Sequence, residues 1–121
     1  MPYGMTDDEW EATIEQTRAI LRRRAQEGKG ILTYKDLGSQ LRQKLSLNFH
    51  YADLLEAVAQ REQRAGLPAL TALVVSKGEG LPGQGFWNVL AEDGYDITNR
   101  PASWGRALAH VYSYWHPRAE P

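Results

Sequence analysis

The residues with the most chemical potential lie in a glycine-rich stretch of this 121-residue chain. Gly78, Gly80, Gly83 and Gly85 punctuate a loop that also carries Lys77 and Pro82 and follows the apolar run from Leu70 to Val75. Backbone amides in such a loop can cradle a phosphate. The loop lacks the Lys-Ser/Thr pair of a P-loop and the strand–GxGxxG–helix order of a dinucleotide site. Two other readings stand beside the cradle. One is a wide turn that needs positive φ. The other is a wing that touches nucleic acid or a protein, with Lys77 at its base as the phosphate contact.

The remaining reactive side chains are less suggestive. His50, His110 and His116 have no metal spacing, since the last two lie six apart and miss the i, i+4 face of a helical zinc pair. Asp7, Asp8, Glu9, Glu11 and Glu15 would be a carboxylate cluster, but their position reads as the solvated start of a helix. No serine is marked as activated by a neighbouring His and Asp. The chain has no cysteine, which rules out disulfides, a thiol nucleophile and cysteine-ligated zinc. The expectation is a protein that is not an enzyme and has no catalytic residue, metal or cofactor.

Charge is unevenly spread beneath a formal net of −1. Residues 1–17 hold five acids and no base, whereas residues 18–44 hold eight bases against Glu27 and Asp36. That block, Arg18, Arg22, Arg23, Arg24, Lys29, Lys35, Arg42 and Lys44, is either a phosphate-facing patch or a helix matched to its own macrodipole. The acidic flanks would suit an electropositive partner instead. No apolar run is long enough to span a bilayer. The first residues are acidic where a signal peptide is basic, so a cytoplasmic setting is expected.

The elements that must position these groups follow from caps and periodicity. Thr6 with Glu9 makes a capping box, and Trp10, Ile14, Thr17 and Leu21 fall on one helical face, so residues 6–28 read as an N-terminal helix ended at Gly28. Ile31-Leu32 suits a short strand. Thr33 with Asp36 makes a second capping box before a helix over 34–45, and a third helix runs from Tyr51 to Ala65 with Gly66 as its stop. Pro68 opens a strand over 70–76. After the glycine loop, Phe86-Trp87 reads as a strand-like return that turns helical. Pro101 begins a C-terminal helix over 101–116, with Trp104, Leu108, Val111, Tyr112 and Trp115 on its apolar side. Its aromatic end, Tyr112, Tyr114 and Trp115, is either core or a protein-partner patch.

Length and composition suit one domain over 1–121, with a winged-helix-like core at 31–90. The fold class expected is α+β: a winged-helix-like domain with an extra N-terminal and C-terminal helix and a small β-hairpin. The segment Gly30-Ile-Leu-Thr-Tyr34-Lys-Asp-Leu37, a following helix, Leu67-Pro68 and an apolar strand resemble the DNA-binding module of the alkylguanine-DNA alkyltransferases and alkyltransferase-like proteins. The resemblance covers residues 28–86. It implies that Tyr34 contacts a DNA phosphate. The reactive Pro-Cys-His-Arg segment of that family is missing, because Pro68 is followed by Ala69, Leu70 and Thr71. Helix three opens Tyr51-Ala-Asp-Leu54, without the arginine that fills the gap left by a flipped base. Alkyl transfer is excluded for want of a thiolate.

The longer pattern from Gly66 to Phe86, with Trp87 and the final Val111-Tyr-Ser-Tyr-Trp115, is similar to a widespread group of small bacterial and phage proteins of uncharacterised activity. That likeness implies an accessory, mobile-element or defence role. The leading expectation is a non-enzymatic protein that binds duplex DNA. Phosphate contacts would come from Tyr34, Lys35, Arg42, Lys44 and Lys77, and base contacts from Asn48, His50 and Tyr51. The alternative is a protein-binding module, such as an immunity protein, antitoxin or anti-defence factor, that neutralises a basic partner such as a toxin or defence nuclease.

Overall fold

Among the described residues, five α-helices and two very short strands make up the fold, which is mostly helical and consistent with an α+β class. The structure is a computed structural model and describes residues 6–41, 50–76, 78, 80–92, 94 and 96–116. Helix α1 spans Asp7–Gln26, strand β1 Leu32–Thr33, α2 Tyr34–Gln40, α3 His50–Arg64, β2 Val74–Val75, α4 Gln84–Glu92 and α5 Arg100–Trp115. A 3-10 turn over Leu70–Leu73 leads into β2.

Local sequence explains the helix starts. In α1 the Thr6 hydroxyl accepts from the Glu9 amide, and the Glu9 carboxylate accepts from the Thr6 amide. Thr33 and Asp36 make the same reciprocal pair at the head of α2. Asn99 caps α5, with Pro101 in its first turn. At the other end of α1, Gly28 adopts φ +70° and the Lys29 amide donates back to Arg24, which closes the helix as a Schellman motif.

β1 and β2 pair in parallel, Leu32 opposite Val74 and Thr33 opposite Val75. A parallel pair needs a long crossover, and here it is α2, α3 and the 3-10 turn. This corrects the expected β-hairpin, which is not formed among the described residues. It also corrects the strand expected over 70–76. The ladder is two residues long, so only Val74 and Val75 find partners. The preceding four residues are fully buried and satisfy their backbone by coiling, as in the Ala72 amide donating to Ala69.

The aromatic return is helical from its start. Phe86, Trp87, Val89 and Leu90 are all buried, at the i, i+1, i+3, i+4 spacing of a helix face and not the alternation of a strand. The C-terminal helix lies one residue from its expected bounds.

One core cluster draws on every helix: Ile14 and Leu21 from α1, Leu37 from α2, Leu54 and Val58 from α3, Trp87 and Leu90 from α4, Ala107 and Val111 from α5. Leu70, Ala72 and Leu73 of the 3-10 turn sit at its centre, each completely buried. Indole donors tie the layers together: Trp87 Nε1 donates to Pro82 O at 3.1 Å and Trp104 Nε1 to Ala72 O at 2.8 Å. Among the described residues, no helix is long and apolar enough to cross a membrane. Trp104→Phe removes the indole N–H together with part of the ring and leaves the Ala72 carbonyl without its donor, so urea unfolding should show a loss of about 1–3 kcal/mol.

Candidate functional site

The basic block of the sequence turns out to be largely an internal structure. Glu62 on α3 is completely buried, and Arg18 Nε and Arg22 Nη2 of α1 reach one of its oxygens at 2.6 and 2.9 Å. The Arg22 guanidinium also lies over the Trp115 ring, 5.0 Å from its centroid, so α1, α3 and α5 meet at one charged centre. Arg18 bonds Glu15 as well, and Arg61 bonds both Glu15 and Glu11. Burial works to raise the Glu15 carboxyl, but the Arg18 and Arg61 guanidiniums outweigh it and hold it below its ordinary value. Arg23 and Lys29 share Glu27, at 3.0 and 2.9 Å. Arg24 donates to the carbonyls of Gly30 and Ile31.

Residue type alone would put the Glu62 carboxylate on the outer face of α3, and the structure turns it inward. A signal for this was present. Leu55, Val58, Ala59 and Glu62 follow i, i+3, i+4, i+7, so Glu62 continues the apolar stripe. Of the charges left on α3, Asp53 and Arg64 are exposed and Glu56 is half-buried.

The second notable arrangement joins α2 to the glycine loop. Tyr34, the first residue of α2, is half-buried and its hydroxyl lies against Gly83. A Cβ at position 83 would overlap that hydroxyl, which explains a glycine there by close approach and not by positive φ. Lys35 is exposed on the same helix. Within the loop, the Ser76 amide donates to Leu81 O and the Gly80 amide to Ser76 O, so these two amides turn inward and do not form a phosphate cradle. The Arg100 guanidinium lies 5.0 Å above the Trp87 ring where α5 begins.

Of the sequence-derived contacts, Tyr34 thus lies against the loop, and Lys35 follows it as an exposed residue of α2. Arg42, Lys44, Asn48 and Lys77 lie outside the described residues. His50 and Tyr51 are the first residues of α3, and their side chains are likewise outside the description. The three aromatics of α5 face the body of the protein: the Tyr112 hydroxyl donates to Lys29 O at 2.5 Å, Trp115 is buried under Arg22, and Tyr114 packs edge-on against Trp115 at 4.9 Å. Burial raises the Tyr112 phenol, and the nearby Arg24 charge only partly offsets this. Among the described residues, no three His, Asp or Glu side chains gather as a metal site.

Comparison with protein-family models, with curated proteins and with solved structures gives no match.

Removing one member of the buried ion cluster strands the others. Glu62→Ala should lower the unfolding free energy by about 3–5 kcal/mol. Glu15→Ala, which touches the same arginine from outside, should cost about 1 kcal/mol or less, and urea titration of both variants measures the contrast. The Tyr34–Gly83 contact predicts coupling: Gly83→Ala should destabilise the wild type by about 1–3 kcal/mol, and most of that loss should vanish in a Tyr34→Phe background.

Proposed function

We propose that this chain is a non-enzymatic, nucleic-acid-binding accessory protein of winged-helix type, working in the cytoplasm. In this reading α2 and α3 form the paired helices, and the glycine loop stands where a β-wing would be. The observation that carries it is the seat of Tyr34 on Gly83. That contact makes the start of α2 and the loop one continuous surface, with Lys35 exposed on it. Phosphate contacts then fall to Tyr34, Lys35, Arg42, Lys44 and Lys77, and base contacts to Asn48, His50 and Tyr51. Arg18, Arg22 and Arg24 belong to the fold, and DNA is not expected to touch them.

The same accounting narrows the protein-binding alternative. The acidic flank of α1 is mostly engaged, since Glu9 caps the helix and Glu11 and Glu15 hold Arg61. Tyr112 and Trp115 anchor α5, which leaves less of their surface for a partner. What remains for an electropositive partner is the exposed pair Asp7 and Asp8.

Fluorescence anisotropy with a duplex oligonucleotide at increasing salt tests the reading. Binding should fall log-linearly with salt. Lys35→Ala combined with Lys77→Ala should lower the slope by about 2. Absence of any binding at low salt overturns it, and capture of one electropositive protein partner would then favour the alternative.

A further inference from the structure

The turn that follows α1 encloses a feature that the reading above does not use. Ile20, Arg23, Arg24, Glu27, Lys29 and Gln40 line an open depression of about 410 Å³ between the end of α1 and the end of α2. That volume is within the range of small-molecule sites. Arg23 and Lys29 face it against the single carboxylate of Glu27, while Arg24 on its wall is held by the Gly30 and Ile31 carbonyls. We propose that this depression is an anion site for a phosphate group, and that the Glu27 carboxylate occupies the anion's place when the site is empty.

The geometry supports this in three ways. First, Glu27 does what a bound oxyanion would do. Its two oxygens divide between Arg23 Nε at 3.0 Å and Lys29 Nζ at 2.9 Å. Hydrogen bonds from Lys29 and then Arg23 hold its carboxyl below the ordinary value, so it stays ionised at neutral pH. Second, Glu27 is easily displaced. Arg23 and Lys29 are 81% and 61% exposed, and ion pairs at such sites are weak. An incoming phosphate exchanges the two surface ion pairs of Glu27 for several charge-assisted contacts.

Third, the usual objection to an anion at a helix C-terminus does not apply. The carbonyl oxygens there normally repel negative charge. Here the carbonyls of Arg23, Arg24 and Ala25 accept from the amides of Glu27, Lys29 and Gly28, and the Gln26 carbonyl is bonded to His116 Nδ1 at 2.9 Å. The Lys29 carbonyl takes the Tyr112 hydroxyl, and those of Gly30 and Ile31 take the Arg24 guanidinium. The turn therefore presents cations to the depression while the carbonyls of residues 23–26 and 29–31 are engaged. The imidazole of His116 covers Gly28 so closely that a Cβ there would sit 3.0 Å from the ring, which holds the turn in register against α5.

Phosphate chemistry of this kind can come from a free phosphorylated small molecule or from a nucleic-acid backbone, and the site stands independently of the Tyr34–Lys35 surface. The test is calorimetric titration of the full chain with inorganic pyrophosphate, with sodium chloride at matched ionic strength as the control. Glu27→Gln removes the competing charge and keeps the shape, so it should tighten pyrophosphate binding about fivefold, and Arg23→Ala and Lys29→Ala should each weaken it by a similar factor. Thermal melting of each variant verifies that the fold is intact.

Repeating the series with duplex DNA separates the sources. Tightening by Glu27→Gln for both ligands supports the site and assigns it to backbone phosphate. Tightening for pyrophosphate alone supports it and assigns a free ligand. Unchanged or weaker pyrophosphate binding by Glu27→Gln, or equal response to chloride, overturns it. Loss of DNA binding through Lys35 and Lys77 alone leaves the pyrophosphate result untouched, so the two readings fail separately.

Discussion

A single buried carboxylate organises the helices of this protein. Glu62 lies in the apolar stripe of α3, where an isolated charge would be prohibitive. Arg18 and Arg22, one helical turn apart on α1, compensate it, and Trp115 covers Arg22 from α5. The arrangement fixes the rotation of α1 about its axis, because only one face of α1 carries both arginines. Such an ion cluster adds little net stability compared with apolar groups of the same shape. Its strength lies in the penalty for any packing that separates its members. Thr13 and Thr17, buried on the same helix, return their hydroxyls to carbonyls one turn back and add no further unmet polarity.

The parallel ladder is the second constraint, and it determines where the glycine loop goes. With β1 beside β2, the chain leaves the ladder at Val75 in the same direction as it leaves β1 at Thr33. Tyr34 and the loop after Val75 therefore emerge side by side. Gly83 lets the Tyr34 ring lie against the loop backbone, and Trp87 fixes the loop from beneath through Pro82. An antiparallel hairpin would have sent the loop away from the start of α2. The contact between Tyr34 and the loop is thus a consequence of strand direction.

Features encoded over three or four residues were legible in the sequence. Both capping boxes, the glycine stop of α1 and the proline start of α5 follow from local donors, acceptors and φ preferences, and each appears as expected. The run Leu70 to Val75 was not legible as a 3-10 turn, because a segment buried on all sides has no period. Its conformation was decided by the length of β1, which lies almost forty residues away. Glu62 was misplaced for a related reason. Residue type argues for the outside, position in the stripe argues for the inside, and only a pair of arginines on another helix makes the second choice affordable. For the candidate site, Tyr34 was identifiable from its helix start, while its seat on Gly83 needed the strand direction as well.

The distinction between charge in the sequence and charge at the surface carries the functional argument. The block from Arg18 to Lys44 looked like one electrostatic unit. Its described members divide into arginines committed to Glu62, an arginine committed to backbone carbonyls, a pair gathered by Glu27, and Lys35 on a separate helix. Each group responds differently to a polyanion. Separating Arg18 and Arg22 from a buried partner would leave an uncompensated charge in the core, so they remain in place. Arg23 and Lys29 exchange a surface carboxylate for a phosphate at little cost, and Lys35 has no such partner to lose among the described residues. A near-neutral chain can therefore present a local cationic surface. Its strength depends on how readily surface carboxylates such as Glu27 yield, and the net charge says little about it.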